Sequence, residues 1–400
     1  MFADKPGEFA YPRELLLRLI LMSVFDGGLS SREIERKTRT DIAYMYLAGM
    51  QHPSYRTIAR FKVDYPDLID ESFKTTIKIA KEEDLVKIHH VSLDGTKIKA
   101  KTSMNKLTNE QQLKIMKQHL KESIELDEEE DMELGEESGK DIISINDPDA
   151  RFMKNKKWKW EFDYNGQIAV DDYKGIILAS YITDNSTDYY ELIPLMEQVQ
   201  SNLSEIYDET PVNYQVSADN GYSTDMNTEY LEQNGFDGYI SSRKLSREQK
   251  KYNLSDKPFA KDNFFYDNEM MTYICPLGQP LYKISEYTYK NKSRISHWTK
   301  ECKTYPMQLF CSKGNRCRVI QDYGIPSKIR MQWKMETPEA KERYKIRSKT
   351  VERPFAHLKQ NMHLTEFRTT GLQEVNTELK LYTIGHNLKR IYNEISRKNN

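Results

Sequence analysis

Acids set among bases are the first residues in this chain that could do chemistry. In "YKIRSKTVERPFAHLK", residues 344–359, Glu352 stands among Lys345, Arg347, Lys349, Arg353 and Lys359. A lone carboxylate in such a segment either balances charge on a helix surface or holds a metal ion beside phosphate. Two more acids bear on that choice. Asp94 and Asp219 each follow a short β-patterned run and each precede a glycine by one or two positions, in "LDGT" and "ADNGY". Ligands in α/β sheets collect at strand ends, so acids at two such ends can converge across 125 residues of sequence. Each alone is also an ordinary turn residue, because Asp-Gly and Asp-Asn-Gly favour turns.

The surroundings of Glu352 follow from helical geometry. At roughly 100° per residue, Lys345, Lys349, Ala356 and Lys359 fall near Glu352, whereas Val351, Phe355, Leu358 and Met362 form a separate apolar stripe. One face packs, and its neighbour carries acid and base together. Pro354 removes a backbone donor, which suggests a helix beginning near Glu352. The seven-residue step from Glu352 to Lys359 holds in either case.

These residues need a scaffold, and 400 residues imply two or three domains. With 38% hydrophobic and 30% charged residues, the composition is that of a soluble globular protein with long solvated helices. The formal net charge of -1 does not mark a nucleic-acid binder, but its distribution is uneven. Residues 121–149 hold 13 Asp/Glu and 2 Lys, whereas residues 328–400 hold 16 Lys/Arg and 8 Asp/Glu. The basic end can face phosphate. The apolar run Leu15 to Phe25 contains Arg18 and falls short of the roughly 20 residues of a membrane span. Acids and bases mix before it and no small-residue cleavage site follows, so a buried helix in a cytoplasmic protein is expected. Cys275, Cys302, Cys311 and Cys317 then read as thiols or metal ligands rather than disulfides.

Residues 1–86 read as a helical N-terminal domain, with "PRELLLRLILMSVFDGG" ending on two glycines and "SSREIERKTRTD" opening on a serine cap. Its "HPSYRTIARFK" places bases outside an apolar face, as a DNA-contacting helix or a packed bundle would. "KIHHVSLDG" reads as a strand that delivers Asp94 to its tip. Residues 104–146 form a helical and acidic insertion with no assigned chemistry. "WKWEFDYNGQIAVDDYKGIILASYITD" reads as two or three strands broken at Asn165-Gly166 and at residues 171–175. Helix, strand, helix and strand follow, so residues 87–103 and 147–245 make the first part of a mixed α/β sheet. A Cys-containing insertion over 246–325 and a helical C-terminal part over 326–400, carrying Glu352, complete the chain.

At this point the chain resembles the DDE transposases of bacterial insertion sequences. It is most similar to the branch that joins a helical N-terminal domain to a catalytic domain with a Cys-containing insertion. The resemblance rests on "PSYRTIARF" at 53–61, "LDGTKIKA" at 93–100, "DPDARFMKNKK" at 147–157 and "YNGQIAVD" at 164–171. It continues through "SADNGY" at 217–222, "VERPFAHLK" at 351–359 and "FRTTGLQEVNTELKLYTIGHNLKRI" at 367–391. Their order and spacing cover nearly the whole chain.

The resemblance implies an RNase H-like core with Asp94 on the first strand, Asp219 after the fourth and Glu352 on a late helix. These are the expected catalytic and metal-holding acids, for Mg²⁺ or Mn²⁺. It also implies a Tyr-Arg-Glu-Lys signature, here Tyr344, Arg347, Glu352 and Lys359, which with Lys349 would contact DNA. Four residues separate Arg347 from Glu352 where the signature usually has three, turning Arg347 by about 100°. The expected partners are double-stranded transposon ends and target DNA, bound by a homodimer, with no membrane. Relatives carry a Cys-x-x-Cys-Pro step in the insertion, but Tyr305 replaces the second Cys here. Structural zinc on Cys275, Cys302, Cys311 and Cys317, with His297 as a substitute, stands against free thiols. The expected activity is metal-dependent DNA cleavage and strand transfer. The alternatives are an inactive transposase-derived DNA-binding protein and a nuclease of the same fold.

Overall fold

The computed structural model describes residues 11–102, 144, 146–154, 159–241, 258–289, 292–304, 308–312 and 317–398. The acidic insertion expected over 104–146 lies almost wholly outside the described residues.

The described residues open on five helices, α1 (Arg13–Phe25), α2 (Ser31–Thr40), α3 (Ile42–Leu47), α4 (Tyr55–Asp64) and α5 (Pro66–Glu82). Local chemistry sets their starts. Ser30 and Glu33 form a reciprocal capping box on α2, Ser54 caps α4, and Pro66 opens α5, where its missing N–H costs nothing. The apolar run found in the sequence is α1, with Leu15, Leu16, Leu19 and Ile20 buried.

The main sheet contains β1 (His90–Lys99), β2 (Arg151–Lys154), β3 (Trp160–Asp171), β4 (Ile177–Thr183), β5 (Gln215–Ala218) and β6 (Asp237–Ile240). β3 pairs antiparallel with β1, and on its other edge with β2 and β4. β1 pairs parallel with β5, and β5 with β6. Helix α6 (Leu192–Ser204) connects β4 to β5, and α7 (Asp225–Gln233) connects β5 to β6. The expected mixed sheet is therefore present.

Two local expectations change. β1 does not end at Asp94-Gly95 but continues to Lys99, because Asp94 through Lys99 pair with Ile168 through Asp163. Likewise Asn165-Gly166 lies inside β3, where partners on both edges hold the backbone extended. Tertiary pairing overrides the turn preference of both dipeptides.

After the main sheet come β7 (Phe265–Asp267), β8 (Thr272–Ile274), β9 (Pro280–Tyr289), β10 (Lys292–Trp298) and β11 (Ile320–Gly324), a second antiparallel sheet in the order β11-β10-β9-β8-β7. Helices α8 (Pro326–Lys334), α9 (Pro338–Ala356) and α10 (Leu372–Lys398) return to the main sheet. α9 does not begin at Glu352: it starts after Thr337, whose side chain caps the Ala340 N–H, and Pro354 falls in its last turn. A short π-helical turn, His357–Asn361, follows.

One apolar core runs from α1 through the main sheet to α10, and a smaller one, around Phe264, Tyr266 and Tyr273, underlies the second sheet. Asn387 of α10 ties the parts together. Its side chain bonds both the N–H and C=O of Ile177 and the Thr76 hydroxyl. No helix among the described residues is long and apolar enough to cross a membrane.

Candidate active site

The sheet register itself brings two of the acids together. Ser92 of β1 lies opposite Ser217 of β5, with their hydroxyls 3.0 Å apart. Two residues on, side chains return to the same face. Those residues are Asp94 and Asp219. A segment 125 residues away is thus aligned by parallel pairing, which neither turn motif contains.

Arg347 fills the space between the acids. Its Nη2 lies 2.8 Å from Asp94 Oδ1 and 3.9 Å from Asp219 Oδ2, and its Nε donates to Leu93 C=O at 3.1 Å. Burial alone would lower the pKa of this guanidinium, but Asp94, then Tyr344 and Asp219, more than offset that and raise it. The guanidinium therefore stays charged. Asp94 makes the close, charge-assisted contact with this buried cation, and Asp219, more exposed, stands farther from it.

Helix α9 sets which side chains face inward. Tyr344, Arg347, Val351 and Phe355 are buried at steps of three and four, the spacing of one helix face. Glu352, five residues beyond Arg347, is turned about 140° from it. It is exposed and accepts a hydrogen bond from Ser348 Oγ at 2.6 Å. Lys349 is also exposed. Lys359 reaches back to β1, donating to Thr96 Oγ1 at 2.7 Å and Lys97 C=O at 2.8 Å. Among the described residues, no three His, Cys, Asp or Glu side chains form a metal-binding group. The structure gathers Asp94, Asp219 and Arg347, and leaves Glu352 outside such a group.

A further carboxylate, which the sequence motifs do not reveal, adjoins them. Asp188 Oδ1 accepts from Asn165 Nδ2 at 2.8 Å and from Gln167 Nε2 at 2.7 Å. Gln167 Oε1 in turn accepts from the buried Tyr222 hydroxyl. Burial first, and then Asp188, Asp94 and Asp219, hold the Tyr222 pKa well above its ordinary value, so it remains a donor. Position 95 is crowded: a Cβ there would stand 2.5 Å from both Asp188 Oδ1 and Gln167 Nε2, so those side chains would have to shift to admit one. The sequence does carry one signal of this face. Asp163, Asn165 and Gln167 repeat polar residues at period two in an otherwise apolar strand, marking a polar buried face.

Asp163 supplies a pH test of this face. It is buried, its Oδ2 has no hydrogen-bond partner among the described residues, and burial, reinforced by Glu161, pushes its pKa up to about 7. A raised carboxyl pKa means stability that is complete below the unfolded value of about 3.9 and lost as pH rises through about 7. Asp163→Asn removes that dependence. Relative to the parent, its unfolding midpoint should rise by at least about 3 °C at high pH and stay unchanged at low pH. Thermal unfolding at pH values on either side of this window checks the sign, and an equal shift at both would refute it.

The cysteines are gathered around one cavity. Cys275, Cys302 and Cys311 line it with Phe259, Phe264 and Leu281, and Cys317 is near enough to oppose ionisation of Cys302. Burial, and then the other three thiols, push Cys302 up to about 11. As placed, these thiols are not among any group of the described residues able to hold a metal. His297 is fully buried against Tyr266, Tyr273 and Trp333.

Known proteins share parts of this chain. A model described as a transposase DDE domain matches residues 274–392, which include Arg347, Glu352 and Lys359 but not Asp94 or Asp219. A second, described as a transposase domain (DUF772), matches residues 1–64. No curated protein matches the chain. Among solved structures, the piggyBac transposase synaptic complex with hairpin DNA is similar at 10% identity, covering 99% of this chain and 70% of that chain, with a TM-score of 0.39. The Mos1 transposase paired-end complex with left transposon end is similar at 9% identity, covering 59% of this chain and 61% of that chain, with a TM-score of 0.20. Two separate transposase-family matches, one toward each end of the chain, point to an insertion-sequence DDE transposase family.

Proposed function

We propose that this chain binds the ends of an insertion sequence, cleaves DNA there and joins it to target DNA, using Asp94, Asp219 and Glu352. The carrying observation is the convergence of Asp94 and Asp219, from adjacent parallel strands, on one buried cation. The strand order, with β4-β3-β1 antiparallel and β1-β5-β6 parallel, supports an RNase H-like core.

The donor set suits a divalent cation. Hard carboxylate oxygens match Mg²⁺ or Mn²⁺, and the guanidinium between the two acids stands in for positive charge there. Asp94 and Asp219 would hold the ion, and Glu352, which faces away from Arg347 on α9, would serve as the third carboxylate after a shift of that helix turns it toward them. Bound metal would supply Lewis acidity at the scissile phosphate and activate the attacking hydroxyl or water.

The remaining steps belong to the chain. Asp188, Gln167 and Tyr222 form the hydrogen-bonded wall beside the glycines that follow Asp94 and Asp219. Lys359, anchored on the strand that carries Asp94, and the exposed Lys349 would hold phosphate, offsetting its repulsion by the acids. Arg347, being buried, would steady the acids rather than reach along the DNA surface. The exposed Arg32, Arg36 and Arg39 of α2 and Arg56 and Arg60 of α4 would face end DNA, and pairing two ends calls for at least two copies of the chain.

The test is incubation of purified protein with candidate end DNA, a target plasmid and Mg²⁺, with cleaved and joined products resolved on gels. Joined products are expected. Cleavage without joining would indicate a nuclease, and binding without cleavage under any divalent metal would indicate an inactive derivative.

A further inference from the structure

The second sheet carries an arrangement that the active site does not use. Tyr287 of β9 and Tyr323 of β11 flank Arg294 of β10, each directly opposite it in register. Tyr289 lies opposite Lys292 in the next row. Cross-strand partners point to the same side, and residues two apart share that side, so all five belong to one face. Lys292 Nζ and the Arg294 guanidinium stand 5.7 and 6.0 Å from the Tyr323 ring centre.

This face is open. Tyr287, Tyr289 and Tyr323 are 66%, 61% and 60% exposed, whereas the alternate residues Ser293, Ile295, His297, Ile320 and Asp322 are buried beneath them. Glu286 and Asp322 alternate to the opposite side, so the face carries two cations and, among the described strand residues, no acid. Exposed aromatics clustered with bases and free of acids match a polyanion that also has flat apolar groups.

Spacing narrows the partner. Tyr287 and Tyr289, two residues apart on a strand, are about 7 Å apart. Successive bases in a duplex strand rise only about 3.4 Å. Bases stacking on both rings must therefore be separated from one another, as in an unpaired strand. We infer that the Tyr287–Tyr289–Tyr323 face, with Lys292 and Arg294, is a platform for single-stranded DNA. It rests on the proposed function only for the source of that strand, an unpaired segment exposed at a cleaved end.

The experiment keeps the two readings apart. Binding of a fluorescein-labelled oligothymidylate to the full chain is followed by anisotropy in EDTA, where no metal-dependent cleavage occurs. The double variant Tyr287→Ala/Tyr323→Ala should bind it about tenfold or more weakly. The variant Tyr287→Phe/Tyr323→Phe should retain binding, because stacking needs the ring and not the hydroxyl. Arg294→Ala should reduce the salt dependence by about one phosphate contact. All these residues are on an open face, so thermal midpoints should match the parent. If the parent fails to bind oligothymidylate, or the alanine variant binds it equally well, the inference is overturned whether or not the chain cleaves DNA. Retained, tyrosine-dependent binding in a protein that never cuts DNA would uphold the platform while sinking the catalytic proposal.

Discussion

Asp219→Asn should leave the fold and end-DNA binding intact and lower strand cleavage by about three orders of magnitude or more, as expected when a metal-holding charge is lost. Asp219 suits this test because its side chain is 40% exposed and stands 3.9 Å from Arg347, a loose contact whose loss costs the fold little. Asp94→Asn should lose activity similarly but also stability. Its carboxylate is nearly buried and 2.8 Å from Arg347, so the amide leaves a buried guanidinium short of its main counter-charge. Glu352→Gln completes the series. Glu352 is exposed and, among the described residues, bonded only locally to Ser348, so this exchange should not move the thermal midpoint. Cleavage should nevertheless collapse if Glu352 is the third ligand. Gel-resolved cleavage beside a mobility assay reads both properties. Parental cleavage by Glu352→Gln would reduce that residue to a surface acid, and parental cleavage by Asp219→Asn would remove the metal-site assignment.

The second large effect concerns Arg347. Arg347→Gln should destabilise the protein in EDTA by about 3–5 kcal/mol, because the nearly buried Asp94 carboxylate loses its close cation and its desolvation is left uncompensated. Divalent metal should then act in the opposite direction. Without a guanidinium competing for the same oxygens, Mn²⁺ should bind the variant more tightly than the parent, and binding to the folded state alone raises stability by mass action. The Mn²⁺-induced rise in unfolding midpoint is therefore expected to be larger for Arg347→Gln than for the parent. An equal or smaller rise would show that Arg347 and metal do not share a site. The comparison needs no DNA and no turnover.

Much of the fold is legible in short stretches of residue type. The apolar run of α1, the Ser30–Glu33 cap of α2 and the strand–helix alternation after residue 160 are local patterns, set by periodicity and capping, and they form where the sequence places them. Asp94 and Asp219 stand out because short β-patterned runs lead to both. Local preference misplaces two turns, however. Asp94-Gly95 and Asn165-Gly166 look like turn residues, yet both lie within strands because neighbouring strands hydrogen-bond them in an extended form.

What the sequence by itself determined was the inventory: the acids, the helix bearing Glu352 and the bases beside it, each written in short-range patterns of residue type. Only the tertiary structure decided which of them meet. Parallel pairing of β5 with β1 set Asp219 beside Asp94, and packing of α9 turned Arg347 inward while Glu352 stayed in solvent. It also placed Asp188, which no local pattern distinguishes, against the two amides of β3. The physical reason is that strand register and helix rotation are set by burial summed over contacts far apart in the chain. On α9 the roughly 140° between Arg347 and Glu352 decides that a cation and not an acid sits at the centre of the site.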